Sequence, residues 1–370
     1  MWTGFAKKYI KNFSISEWLL WIITFSLVVA GQLIFYSLSL GDNDINLWLK
    51  QAMIILIACF LYWWFGKSDY RFFKGVAWYG LIIATILLIA VLLFGRIEYG
   101  ARRWLDVGIV GFQPTELVKA ALIIFLAKYF SEKGDDLRLK DMIFTLALVV
   151  ILMFFIARQP DLGSSLVLLA IWFGMIVCSS ISRKYIIGLL VAALFLLPVF
   201  WISLHDYQRN RVMSFIDPTL DPYGAGYNIL QSQIAVGSGG WWGLGIGRGW
   251  QSQLHFLPVA YSDFAFAVWA EEFGFVGGLL LLILFALLVW QIWRIAYLAA
   301  DQFGFFLVVG VATMIIFQVF VNTGMNLGIM PVTGIPLPFI SSGGTSIWAV
   351  MFLLGLVVSV SRRSEYKNIR

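Results

Sequence analysis

From Gln302 to Ser361 the chain carries no Asp, Glu, Lys, Arg or His. A soluble element cannot hold so long an uncharged stretch, because one of its faces must meet water. Lipid accepts it. A membrane helix needs about 20 apolar residues, at about 1.5 Å of rise each, to cross about 30 Å of hydrocarbon. The stretch is too long for one crossing, and its Pro- and Gly-rich segment 326–344 divides it into two.

The same reading upstream finds charge-free apolar runs at 18–40, 51–66, 75–95, 142–157, 162–182, 185–204 and 273–293. A further span at 114–130 is interrupted by Glu116, Lys119 and Lys128. The expected fold class is therefore an all-α integral membrane protein of about ten transmembrane helices, with residues 1–370 forming one polytopic domain. Composition agrees: of 370 residues 61% are hydrophobic and 12% charged, against about 25% charged in soluble domains. That excludes a disordered chain, a fibrous protein and an ordinary soluble enzyme. Cys59 and Cys178 lie in apolar runs and read as small buried hydrophobes, not as a disulfide framework or zinc site. The first apolar run is too long for a cleaved signal peptide.

Charge sets the orientation. Lys7, Lys8 and Lys11 put the N-terminus in the cytoplasm, and an even number of spans returns Arg362, Arg363, Lys367 and Arg370 to that side. The inner loops then carry Lys67, Arg71 and Lys74, next Lys128, Lys133, Arg138 and Lys140, and finally Arg183, Lys184 and Arg294. The outer side holds Lys50, Arg96, Arg102, Arg103, Arg158, Arg209, Arg211 and Arg248. Two readings stand. The bias of short loops is statistical, and the long extracytoplasmic loop 205–262, between spans seven and eight, escapes it. Alternatively an outward-facing site holds an anion, for which arginine forks suit phosphate.

The outer side also carries the irregular backbone, SGGWWGLGIGRG at 238–249 and NLGIMPVTGIPLPFISSGG at 326–344. Non-helical chain at membrane depth persists only against protein or a wet cavity. An outward-facing cavity walled by re-entrant segments is expected.

Several chemistries lack their motifs. There is no GxxxxGK[ST] or GxGxxG, so no nucleotide cofactor is expected. Two histidines, His205 and His255, give no HExxH and weaken a Ser-His-Asp triad. Short inner loops leave no room for an ATP-hydrolysing domain, so energy comes from the substrate or an ion gradient. Nucleic acid is not an expected partner.

Ionisable groups inside a bilayer cost about 2.5–3.5 kcal/mol each, so each needs a reason. In Gln113-Pro114-Thr115-Glu116, Pro114 suits a first helical turn and Glu116 the positive end of the helix dipole. Glu116 and Lys119 share a face, either as a self-neutralising ion pair or with Lys119 lining the cavity and Glu116 orienting it. The RQPDLGS turn at 158–164 offers Asp161 as a helix cap or as a cavity-facing polar or metal-binding group. The polar stretch 205–240 reads mostly as a solvated connector with partner contacts. Asp263 lies at the outer mouth of span eight, either as an N-cap or as a carboxylate whose partial burial raises its pKa, which suits proton acceptance near neutral pH. Glu271 and Glu272 read as interior structural carboxylates.

Together the segments GARRWLDVGIVGFQPTELVK, RQPDLGSS, HDYQRNRVMSFIDPTLDPYGAGYNILQSQIAVGSGG, SDFAFAVWAEEFGFVG and NTGMNLGIMPVTGIPLPFISSGG resemble the shape, elongation, division and sporulation (SEDS) family of bacterial membrane glycosyltransferases. They spread over about residues 100–344, in the family's order, and the ten-span layout matches. The 158–165 and 205–212 stretches are nearer the elongation (RodA) branch than the division (FtsW) branch. The resemblance implies a peptidoglycan polymerase of the bacterial cytoplasmic membrane, active on its extracytoplasmic side, with lipid II as substrate. It puts the family's essential acid on Asp263 and its cavity residues on Arg103, Glu116, Lys119 and Asp161. Val259 and Ser342 depart from the family, which usually has Glu and Tyr there.

Under that reading Asp263 deprotonates an acceptor hydroxyl. Arg103 and Lys119, with Arg158 or Arg248, bind the substrate and stabilise the departing pyrophosphate. A divalent cation, Mg or Mn, is a candidate aid at the pyrophosphate, with Asp161 and Asp263 as its candidate ligands. Expected partners are membrane lipid and a class B penicillin-binding protein. Two rivals remain: a lipid II flippase, since broken helices and midplane charges also serve transport, and a non-catalytic scaffold.

Overall fold

The computed structural model describes residues 15–41, 45–98, 101–107, 110–203, 206–221 and 224–368. Lys7, Lys8, Lys11, His205 and Arg370 lie outside them. The long helices are α1 (Ile15–Gly41), α2 (Ile45–Lys67), α3 (Arg71–Phe94), α4 (Pro114–Lys133), α5 (Leu139–Ala157), α6 (Leu162–Val177) and α7 (Arg183–Ser203). Shorter helices follow, α8 (Asp206–Ile216), α9 (Ala225–Ser238) and α10 (Trp250–Gln253), and then the long α11 (Ala265–Tyr297), α12 (Gln302–Asn326) and α13 (Gly344–Asn368). Among the described residues seven helices are long and apolar enough to cross a membrane, namely α1, α2, α3, α5, α11, α12 and α13, and α6 is a shorter apolar helix. The chain is a multi-pass membrane protein. The break at 326–344 separates α12 from α13, where the uncharged stretch had to be divided.

Burial ranks the helices. The apolar windows of α12 and α13 are 67% and 83% buried, against 28% for α2, α3 and α11. The first two form the centre; the others turn Leu56, Phe94 and Leu280 outward, as a lipid solvent permits.

Polar contacts sort the helix ends into two sets. At one end Arg362 pairs with Glu17, Arg363 with Asp69, Arg71 with Asp301 and Lys133 with Asp141. These are the ends to which the positive-inside reading assigned the inner loops. The opposite end holds the irregular segments.

The fold is nearly all helical, as expected, with one small addition: β1 (Arg96–Glu98), β2 (Ala101–Val107) and β3 (Val110–Phe112) form an antiparallel sheet in the order β1-β2-β3. These strands are too short for their alternation to stand out beside 20-residue helical periods. One expectation needs correction: residues 205–240 are not mostly a solvated connector. Where described they are largely α8 and α9, with Ile229 and Ala235 of α9 buried.

Helix α11 is broken at Gly274, whose φ of 65° is open to glycine but strained for other residues. The glycine-rich segment after α9 repairs the break. Phe275 and Val276 N–H donate to the Gly240 and Trp241 carbonyls at 2.8 and 3.2 Å, while Leu244 and Gly245 N–H donate to the Glu271 and Glu272 carbonyls at 3.0 Å each. Irregular chain thus meets irregular chain and leaves those groups paired.

Candidate active site

Asp263 stands two residues before α11, in a turn outside the membrane-spanning segments. It does not cap α11: the N-cap is Phe264, with no side-chain cap bond. Its carboxylate is left for other uses, while its backbone is tightly held. The Asn322 Nδ2 group donates to the Asp263 carbonyl at 3.0 Å and to the Ile335 carbonyl at 2.8 Å. One turn later Asn326 Nδ2 donates to the same Asp263 carbonyl at 3.1 Å, and Asn326 Oδ1 accepts from Ala267 N–H at 3.0 Å. From the 326–344 segment, Ser341 Oγ donates to the Ser262 carbonyl at 2.5 Å and Ser342 N–H to the Tyr261 carbonyl at 2.7 Å.

The carboxylate itself accepts the Ser262 hydroxyl at 2.8 Å. Its other oxygen lies close to Gly334, where an added Cβ would sit 3.6 Å away. Burial pushes the Asp263 carboxyl above the ordinary carboxylate range; the Ser262 hydroxyl, Arg211 and Arg103 pull against that rise, and Asp161 adds to it. Two arginines and two aspartates therefore share one electrostatic neighbourhood.

Each arginine reaches it from a different element. Adjacent strand residues point to opposite faces, so in β2 Arg102 is exposed while Arg103 turns in. Arg103 Nε donates to the Gln159 carbonyl at 3.1 Å, and its Nη2 to the Pro160 carbonyl. Arg211, on α8, donates to the Val332 carbonyl at 3.3 Å. Main-chain acceptors orient both guanidinium groups without neutralising them. Asp161 caps α6, accepting Ser164 N–H at 3.1 Å. It is drawn in because α6 starts against the 326–344 segment: a Cβ on Gly163 would lie 2.5 Å from the Thr333 carbonyl oxygen.

Glu116 and Lys119 form a buried ion pair, Nζ to Oε1 at 2.6 Å, in the first turns of α4. Arg158 is exposed and lies over the Phe154 ring, 5.0 Å from its centroid. Arg248 is exposed on the glycine-rich segment. Glu271 accepts N–H groups of Gln251 and Ser252 at 2.8 and 3.2 Å, and Glu272 accepts Gly247 N–H at 3.2 Å and the Ser37 hydroxyl. These two carboxylates tie the glycine-rich segment and α10 to the broken helix.

Asn322, Asn326 and Ser341 were not singled out from sequence, and Arg211 figured there only among the outer cations. A signal existed for the asparagines: two amides at i and i+4 in an uncharged helix must face a polar partner.

Among the described residues no group of three or more His, Cys, Asp and Glu forms a ligand set. Asp161 and Asp263 make a pair of carboxylates beside an anion-attracting site. That suits Mg²⁺, which is held by one or two carboxylates together with substrate phosphates.

The FtsW/RodA/SpoVE family of cell cycle proteins matches residues 14–366. The chain belongs to the FtsW/RodA/SpoVE family. Among curated family members, the Escherichia coli K12 protein named peptidoglycan glycosyltransferase MrdB is 40% identical over 340 residues, covering 92% of this chain and 91% of its own. The Bacillus subtilis stage V sporulation protein E is 36% identical over 360 residues, covering 94% and 97%. Among solved structures, a chain from work on the coordination of polymerization and crosslinking by a peptidoglycan synthase complex superposes with a TM-score of 0.82 at 32% identity, covering 95% of this chain and 99% of that one. The rod shape determining protein RodA of Thermus thermophilus gives 0.70 at 30%, covering 95% and 98%.

Proposed function

We propose that this protein is a peptidoglycan glycosyltransferase that joins lipid II disaccharide units into glycan strands for cell elongation and shape. The observation that carries this reading is Asp263. Its carboxyl is raised by burial, its backbone is fixed by two asparagines, and it shares its surroundings with Arg103 and Arg211. Names borne by relatives at 35–40% identity support it.

In this mechanism the deprotonated Asp263 takes the proton of an acceptor sugar hydroxyl. A raised pKa makes it a better base than an ordinary carboxylate. The hydroxyl oxygen bonds to the donor's anomeric carbon as the bond from that carbon to the lipid diphosphate oxygen breaks, and the diphosphate leaves with the electron pair. Arg103 and Arg211, already aimed by backbone carbonyls, stabilise that growing charge where the surroundings are poor in water. Asp161 and Asp263 are the residues that would hold a divalent cation on the diphosphate, where it would neutralise leaving-group charge. No nucleotide is needed, because the activated bond arrives with the substrate. The buried Glu116–Lys119 pair supports the start of α4, behind the sheet that carries Arg103.

The site opens to the extracytoplasmic face of the bacterial cytoplasmic membrane, opposite the cation-rich helix ends. The partner is a class B penicillin-binding protein that crosslinks the product. Purified protein with that partner and labelled lipid II should give glycan polymer from wild type and none from Asp263→Ala, with lipid binding retained. Lipid scrambling in vesicles without polymer would replace this reading with a flippase.

A further inference from the structure

A cavity of about 250 Å³ lies beside the segment that leads into Asp263, bounded by the end of α1, by α10 and by residues 257–261. It shares no lining residue with the group formed by Arg103, Arg211 and Asp161. Its polar lining is a hydroxyl, an amide, an imidazole and a phenol, from Ser252, Gln253, His255 and Tyr261, set among aliphatic side chains; Asp, Glu, Lys and Arg are absent from it.

The wall is fixed in advance. The Glu271 carboxylate holds Gln251 and Ser252 by their N–H groups, and Gln253 Nε2 donates to Ser37 O and Oγ at 3.2 Å each. His255 and Val259 stand at φ of 58° and 52°. Left-handed backbone is rare for a β-branched residue and persists where the surroundings over-determine it, commonly around ligand sites.

The cationic side chains around Asp263 suit a diphosphate. The neighbouring cavity has no carboxylate, ammonium or guanidinium group, mixes hydrogen-bonding groups with apolar surface, and falls below the roughly 300 Å³ at which pockets for drug-sized ligands begin. Those features match one neutral sugar ring, with hydroxyls at its edge and apolar C–H faces. We propose that this cavity holds the terminal N-acetylhexosamine ring of the acceptor, with the attacking hydroxyl turned toward Asp263. The proposal rests on the glycosyltransferase reading and adds the place of the acceptor.

The test uses the full chain with its partner and N,N′-diacetylchitobiose as a soluble probe, read by saturation-transfer NMR. Ala260→Leu fills the cavity and Tyr261→Ala removes its aromatic wall. Wild type and Asp263→Asn should both show transfer to the probe, and both cavity variants should lose it at unchanged melting temperature. In polymerisation the cavity variants should raise the acceptor KM about tenfold, the low end for a lost pocket contact, with donor-lipid binding unchanged. A folded Ala260→Leu or Tyr261→Ala protein that keeps both the probe signal and the wild-type acceptor KM overturns the proposal. Polymer from Asp263→Asn at the wild-type rate would instead remove Asp263 from the chemistry and leave the sugar site standing.

Discussion

Asn322 donates to the main-chain carbonyl of Asp263 at 3.0 Å. The amide fixes where the carboxylate stands without neutralising it. Asn322→Ala should leave the Ile335 carbonyl short of its partner, costing about 1–3 kcal/mol. It should also loosen Asp263, and a displacement of about 1 Å can lower turnover about a hundredfold. Melting temperature and kcat measured together check both effects; a fall in stability with kcat unchanged would show that Asn322 only supports the fold.

Asp263 also sets a trade of stability against activity. Its folded pKa lies above the ordinary value, so its contribution to stability is fully present below the unfolded pKa and is lost as pH rises through the folded one. Asp263→Asn removes the buried charge. The variant should melt higher than wild type at neutral pH, with the difference shrinking as pH falls below the carboxylate range, while polymer formation is lost. Thermal unfolding in detergent across pH reads the sign, and an equal or lower melting temperature at neutral pH would contradict it.

The arginines leave a signature in the pH profile. Arg211 and Arg103 both pull the Asp263 pKa down against burial. Arg211→Gln should therefore raise it further and move the acid limb of kcat/KM to higher pH, since less of the base is ionised at a given pH. Arg103→Gln should move the limb the same way and weaken donor binding. An unmoved limb in both variants would mean that neither arginine acts on the base.

At the opposite end Asp301 caps α12, accepting Gly304 N–H at 2.8 Å, the Tyr70 hydroxyl at 2.5 Å and Arg71 Nε at 3.1 Å. Burial acts to raise its pKa, but these hydrogen bonds and Arg71 hold it below the usual range. Asp301→Ala should cost about 0.5–2 kcal/mol as a lost cap, with activity per folded molecule unchanged. A lowered pKa contributes stability above the unfolded value and loses it as pH falls through the folded one, so the wild-type advantage should vanish in acid. Melting curves at neutral and acidic pH test this.

The sequence by itself determined the solvent and the order of the apolar runs. These follow from local composition, because a bilayer imposes the same length and polarity on each crossing. It also pointed to Asp263, a carboxylate poised at the start of an apolar helix. Only the tertiary structure decided what surrounds that acid. Arg103 arrives on the central strand of a three-stranded sheet, Arg211 on a helix within a stretch that reads as connector, and Asn322, Asn326 and Ser341 from 59 to 78 residues further along the chain. No periodicity encodes such meetings. They arise because the turn before α11 exposes backbone carbonyls that α12 and the 326–344 segment satisfy, while α6 starts against that same segment.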